Sequence, residues 1–183
     1  MAVATGQPES ELIAAARNGD AGAFAALYEM FADRVYRHIL YRTGSRADSE
    51  DLTQQTFFKA WQALGRYKVT EAPFIAWLLT IAHNGVVSYF RAKRECLPLD
   101  LDLPLVAGGA EPYESAERSF LQDAVRRAIG QLPHDQQQVL VMRYLDDLDY
   151  ADIARALGKT ENNVRVIAHR ALKRLPRHLG ALA

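Results

Sequence analysis

Sulfur is nearly missing from this sequence: among its 183 residues there is one cysteine, Cys96. One thiol closes no intramolecular disulfide and cannot supply the two to four sulfurs of a thiolate zinc site. A reducing, cytoplasmic interior is therefore the expected compartment. Long apolar runs are missing as well. The N-terminal MAVATGQPES has neither the basic start nor the apolar stretch of a signal peptide. The longest uncharged run, Ala72 to Phe90, carries Pro73, Thr80, His83, Asn84, Gly85 and Ser88, which suits a buried helix and not a membrane span. Catalytic signatures are absent too: no G-x-x-x-x-G-K-[ST], no G-x-G-x-x-G and no G-x-S-x-G. The five histidines show no repeated metal spacing. Neither an enzyme nor a metal or other cofactor is expected.

Excess charge is the last absence, since 22 basic residues balance 22 acidic ones. That argues against unconditional nucleic-acid binding, whose affinity rests largely on phosphate neutralisation. The zero hides a pattern. Between Cys96 and Glu117 stand five acids and no Lys or Arg, whereas Lys159 to Arg177 holds six basic residues and one acid. Arg91, Lys93 and Arg94 form a second basic cluster just before the acidic stretch. Two basic regions flank an acidic middle.

What is present is helical periodicity. The chain is 49% hydrophobic and 24% charged, an ordinary globular composition. A first helix is expected over about Glu11–Arg17, stopped by Asn18-Gly19. Asp20 caps a second whose stripe is Phe24, Leu27, Phe31, Val35 and Ile39, ended by Thr43-Gly44. Ser45 and Asp48 form a capping pair for a third helix reaching about Leu64. Pro73 opens a fourth, continuing to about Lys93. The stretch LPLDLDLPLVAGGAEP has three prolines, paired glycines and no helical period, so residues 96–112 read as a linker. Helix resumes near Tyr113, breaks at Gly130, restarts after Pro133, breaks near Asp146-Asp147, and restarts at Asp149 and Thr160. The expected fold is all-α: an N-terminal helical bundle (9–95) and a C-terminal helix-turn-helix domain (113–179), joined by a flexible acidic linker. Domains of roughly 80–90 residues would each bury only ~60–65% of their unfolded surface.

The helix-turn-helix is read at Tyr150–His169. Ala154 supplies the small residue where two helices touch, Gly158 the turn residue free to take positive φ, and Ile153, Leu157, Val164 and Ile167 the inner face. At 100° per residue, Val164, Ala168, Ala171 and Leu175 face inward and Asn162, Val166, His169, Arg170 and Lys173 face away, with Asn163 and Arg165 on the flanks. In the first turns Asn162, Asn163, Arg165 and Val166 suit base edges: amides pair with adenine, arginine with guanine, and valine meets a thymine methyl. His169, Arg170, Lys173 and Arg174, further along, suit phosphates. A solvated basic face is the bland alternative.

The first domain also has two-faced helices. On the third, Phe57, Trp61 and Leu64 should be buried, with Asp48, Asp51, Gln55, Lys59 and Gln62 opposite. On the fourth, Phe74, Trp77, Leu78, Ile81 and Gly85 form the apolar side. Thr80, His83, Asn84, Val87, Arg91 and Arg94 recur on the other, beside a loop carrying Arg66, Tyr67 and Lys68. Basic residues interleaved with an aromatic suit single-stranded or melted nucleic acid, where bases stack and phosphates are neutralised.

These residues converge on a family. Asp51-Leu52-Thr53-Gln54-Gln55-Thr56-Phe57-Phe58-Lys59-Ala60-Trp61 resembles the A-E-D-L-x-Q-E-T-F-x-x-A-W segment of bacterial sigma factors. Phe74-Ile75-Ala76-Trp77-Leu78 with Ile81-Ala82-His83-Asn84 is similar to their F-x-x-W-L-x-x-I-A-x-N. Leu132-Pro133, Arg143-Tyr144, Tyr150 to Ala154 and His169 to Leu172 resemble their second domain. The likeness covers about residues 9 to 179, and the short two-domain layout suggests the extracytoplasmic-function (ECF) group of the sigma-70 family. It implies a dissociable subunit of RNA polymerase. Asp48, Asp51, Gln54, Gln55 and Lys59 would meet the β′ clamp helices, and the C-terminal domain the β flap. Arg66, Tyr67, Lys68, Thr80, His83, Asn84, Arg91 and Arg94 would capture and open the −10 element, while Asn162, Asn163, Arg165, Val166, His169, Arg170 and Lys173 would read the −35 element. An anti-sigma factor is a further partner of the family. Three departures stand out: Gln55 where an acid is usual, Ser88 for a frequent aspartate, and Glu161-Asn162-Asn163-Val164-Arg165 in place of a glycine-containing start. A stand-alone helix-turn-helix regulator and a helical adaptor remain the competing expectations.

Overall fold

A computed structural model describes residues 8–68, 72–95 and 124–180, the side chains of 94–95 and 176–180 excepted. The expected linker and the expected helix onset near Tyr113 lie outside the described residues. The elements are α1 (Glu9–Arg17), α2 (Ala21–Thr43), α3 (Arg46–Ala63), a 3-10 turn at Leu64–Arg66, α4 (Phe74–Glu95), α5 (124–130), α6 (His134–Tyr144), α7 (Tyr150–Leu157) and α8 (Glu161–Gly180). No strand occurs among the described residues.

Local chemistry places most of the boundaries. Asp20 Oδ1 accepts from the Gly22 and Ala23 amides at 2.8 and 3.1 Å, which satisfies two of the free donors at the start of α2. Gly44 ends that helix in the left-handed region, φ 67°, a conformation a side chain would resist. Ser45 Oγ then accepts from the Asp48 amide at 3.3 Å and opens α3. The Trp77 amide donates to the Pro73 carbonyl at 3.2 Å, so Pro73 stands at the entrance of α4.

The N-terminal helices close around the α2 stripe: Leu27, Phe31, Val35 and Ile39 are buried with Leu12, Ile13 and Ala16 of α1. Aromatic edges fill the space between helices. Phe24 meets Trp61 at 4.8 Å and Phe57 at 6.3 Å between ring centres, and Phe31 meets Phe74 at 5.6 Å. Each buried large apolar side chain of this kind contributes about 1.5–3 kcal/mol.

The second face of α4 departs from the expectation of one apolar side. Besides Phe74 and Leu78, its Ile75, Leu79, Ala82 and Val86 are buried, so the buried arc spans about half the helix circumference. The reason is a second set of neighbours: α4 touches α2 and α3, and also α6 and α7. Val139, Met142, Leu148, Ile153, Ala154, Val164, Ile167 and Ala168 of the C-terminal helices share one continuous apolar core with the N-terminal bundle. A small separate cluster, Leu132, Leu140 and Ala171 with Leu175 against it, ties α6 to α8.

Candidate nucleic-acid interface

The helix-turn-helix is built by α7 and α8. Asp149 Oδ1 accepts from the Asp152 amide at 2.6 Å and caps α7. Gly158, φ 62°, ends it, and the Lys159 amide returns to the Ala154 carbonyl at 2.9 Å. Thr160 Oγ1 accepts from the Asn163 amide at 3.2 Å and starts α8. Val164, Ile167, Ala168 and Ala171 are buried beneath α8. Asn162, Asn163, Arg165, Val166, His169, Arg170 and Lys173 are all exposed. Buried small and branched residues thus hold one face while a continuous row of amides, imidazole and cations points outward. Arg174 is also exposed, and its guanidinium donates to Gln136 Oε1 at 3.3 Å.

One member of the row is already engaged. Arg165 donates from Nε to Glu161 Oε1 at 3.0 Å, is paired with the same carboxylate through a second nitrogen, and lies 4.6 Å from the centre of the Tyr150 ring. Arg143 approaches the same ring at 5.3 Å. Ring and carboxylate hold the guanidinium along the helix start, so any new partner for it has to displace the Glu161 contact.

On α3, Asp51, Gln54, Gln55 and Lys59 are exposed. Gln55 Nε2 donates to Asp51 Oδ2 at 2.8 Å, so the amide that stands where an acid is usual orients its neighbour. Asp48 is only half-exposed and tied inward: it accepts from the Tyr89 hydroxyl at 2.8 Å, and Lys93 Nζ donates to that hydroxyl at 3.0 Å. Hydrogen bonds from Ser45 and then Tyr89 hold its carboxyl below the usual carboxylate range. Beside this row Phe58 is 63% exposed, an apolar residue out of phase with the buried stripe. The off-phase phenylalanine in Phe57-Phe58 was its signal in the sequence.

The loop and α4 divide the remaining expectations. Arg66, Lys68, Asn84 and Arg91 are exposed and Thr80 is half-buried, its hydroxyl donating to the Ala76 carbonyl at 3.0 Å. The Arg94 side chain lies outside the described residues. Two expected contacts are corrected. Tyr67 is 4% exposed, stacks within 4.9 Å of Trp77 and 5.3 Å of Phe74, and donates its hydroxyl to the Ala72 carbonyl at 2.7 Å. It is a core residue of the loop and presents no face to a base. Its hydroxyl is pushed up to about 12, chiefly by burial.

His83 is the second correction. It is 2% exposed, and its Nδ1 accepts from Arg42 at 2.7 Å. Arg42 is itself buried, and its other terminal nitrogen donates to Gln137 Oε1 of α6 at 2.6 Å. Burial pulls the guanidinium down to about 10, so it stays charged at neutral pH. Burial first, then Arg42, His38 and His134, pushes the His83 imidazole down to about 2. A neutral imidazole with its proton on Nε2 is the form that accepts this bond. No group of three His, Cys, Asp or Glu is placed to hold a metal among the described residues. No described helix is long and apolar enough to cross a membrane.

A polar seam joins residues that no sequence pattern pairs. Asp146, expected only as a helix terminus, is buried, and its Oδ2 lies 2.7 Å from Nδ1 of buried His38. Helical phasing could not pair residues more than a hundred positions apart.

Comparison with known proteins agrees with this geometry. Sigma-70 region 2 matches residues 27–95 and Sigma-70, region 4 matches residues 122–175. The ECF RNA polymerase sigma factor BldN of Streptomyces coelicolor is 37% identical over 92% of this chain, which spans 65% of that protein's length. The ECF RNA polymerase sigma factor SigW of Bacillus subtilis is 25% identical over 89% of this chain and 92% of its own. Among solved structures, the sigma factor RpoE of Bartonella quintana, in complex with the anti-sigma factor NepR, superposes with a TM-score of 0.64 at 25% identity, covering 86% of this chain and 96% of that one. With both regions in order and ECF factors among its relatives, the chain belongs to the sigma-70 family of RNA polymerase sigma factors, in its ECF group.

Proposed function

We propose that the chain acts as a dissociable promoter-specificity subunit in the cytoplasm, with no catalytic step of its own. Residues 9–95 grip core RNA polymerase and the −10 element, and residues 113–179 meet the β flap and read the −35 element. The observation that carries this reading is the exposed row on α8, Asn162 to Lys173, standing over the buried Val164, Ile167, Ala168 and Ala171. Asn162, Asn163, Arg165 and Val166 discriminate bases, while His169, Arg170 and Lys173 neutralise phosphates. On α3, Asp51, Gln54, Gln55 and Lys59 meet the β′ clamp helices, with Asp48 supporting them from the cap and Phe58 adding apolar contact. Arg66, Lys68, Thr80, Asn84, Arg91 and Arg94 serve the −10 element. The zero net charge suits a subunit that engages DNA only when polymerase holds it. An anti-sigma factor is a fitting partner, since the Bartonella relative is held by one.

The test is co-elution with bacterial core polymerase on size exclusion, comparing wild type with Asp51→Arg. Wild type should co-elute and the variant should not. Elution of wild type as a separate dimer that shifts on duplex DNA alone would overturn the reading in favour of a stand-alone regulator. On a reconstituted holoenzyme, Lys173→Ala should weaken all promoters alike and lower the salt dependence by about one phosphate contact. Asn162→Ala should cost about 1–3 kcal/mol and relax selectivity at one −35 position.

A further inference from the structure

We propose that Tyr150 is a positioning residue for base selectivity: its ring is the fixed platform on which the Arg165 guanidinium turns from Glu161 to a base edge, with Arg143 bracing the ring. The inference deepens the −35 reading of α8 and rests on it.

Tyr150 opens α7 directly after its Asp149 cap, and α8 begins at Glu161 across the turn. The half-buried ring collects two cations, Arg165 of α8 at 4.6 Å and Arg143 of α6 at 5.3 Å from its centre. Two guanidinium groups repel each other, so their meeting at one ring needs balancing charge. The negative π face supplies part of it. Carboxylates supply the rest: Glu161 holds Arg165, and Asp147 lies 3.6 Å from Arg143 Nη1. Arg143 is the anchored member. Its Nη1 also donates to the Leu148 carbonyl at 3.0 Å, within the turn that leads to Tyr150. The Tyr150 hydroxyl lies 3.4 Å from that of Tyr144. The ring is thus fixed from α6 and the turn, by contacts that owe nothing to α8.

A guanidinium offers two kinds of surface. Its face meets an aromatic ring through charge and stacking, while its edge carries the N–H groups that carboxylates and guanine both accept from. Tyr150 takes the first contact and Glu161 the second, so the edge can be exchanged while the ring contact stays. The Arg165 and Glu161 side chains are 57% and 45% exposed, so water already weakens that ion pair and its release costs little. Without the platform, a long flexible side chain can turn to a neighbouring phosphate or to the lone N7 of adenine. On the ring its edge is aimed in one direction, where only guanine presents two acceptors. The restriction therefore acts on selectivity and not only on affinity.

The experiment selects bound sequences from a randomised duplex DNA library with reconstituted holoenzyme and compares base preference position by position. Wild type should prefer guanine at one −35 position by about 5- to 150-fold, and Arg165→Ala should erase that preference and so identify the position. Tyr150→Leu should lower it at the same position by about two- to fivefold, leaving the other positions and the salt slope of binding unchanged. Tyr150→Phe, which keeps the ring, should stay near wild type. In the Arg165→Ala background, Tyr150→Leu should remove nothing further, the non-additivity expected of two residues acting through one contact. Should Tyr150→Leu fail to fold by circular dichroism, Arg143→Gln decides, since its amide keeps a donor for the Leu148 carbonyl. It should lower the same preference, and an unchanged preference there sinks the platform. An equal drop at every position, or a Tyr150→Leu profile matching wild type, would overturn the platform and leave the −35 reading in place. If wild-type holoenzyme prefers no base at any −35 position, that reading falls and the platform with it.

Discussion

His83 shows how one side chain ties packing to pH. Its imidazole is pushed far below the ordinary 6.5 by burial first and by Arg42, His38 and His134 next. The unfolded chain therefore takes up a proton at this position below about pH 6.5, where the folded chain does not. The stability it contributes is complete above that pH and declines as the pH falls. Urea denaturation at pH 7 and pH 5 should show a smaller acid loss for His83→Gln, which keeps an acceptor for Arg42, than for wild type. An equal loss in both would show that other groups carry the acid sensitivity. Glu161 makes a second residue-scale case. Its pairing with Arg165 is exposed and contributes at most about 0.5 kcal/mol. Glu161→Ala should leave the melting temperature almost unchanged while raising holoenzyme affinity for the −35 element, read by fluorescence anisotropy, because a competitor for the guanidinium is gone.

At the scale of the element, the turn between α7 and α8 depends on Gly158. A Cβ built there meets nothing within 4 Å, so the whole penalty of a side chain is the left-handed backbone, φ 62°. That costs about 1–2 kcal/mol, and Gly158→Ala should lower the melting temperature by about 2–8 °C in a calorimetric scan. Elements of this kind were legible in the sequence because their signals are local. Asp20, Ser45, Asp149 and Thr160 cap the helices at which they were expected, and Gly44 and Gly158 end theirs. Tyr67 and His83 were misplaced because spacing says which side of a helix a residue occupies, not what covers that side. Ile75, Leu79, Ala82 and Val86 held the missing signal: a second apolar row on α4, next to the first, asks for a second partner.

At the scale of the whole molecule, the two helical groups share one apolar core with a polar seam at its edge. Both tryptophans, Trp61 and Trp77, belong to the N-terminal group. In wild type their fluorescence and the far-UV circular dichroism should report the same urea midpoint, the sign of joint unfolding. In Asp146→Ala both midpoints should fall together, because the shared apolar core still couples the groups when the polar contact is lost. This joining was the least legible part of the fold, since nothing in Asp146 marks His38 as its partner across more than a hundred residues.

The shared core carries a thermodynamic consequence. A closed state favoured by a given factor lowers the apparent affinity of each end for its own target by that factor. Whatever first opens the molecule at one end removes the handicap at the other, and the exchange is symmetric: a ligand on the N-terminal group would sharpen binding at the C-terminal group by the same ratio that the second ligand sharpens the first. Two modest contacts then behave as one conditional contact.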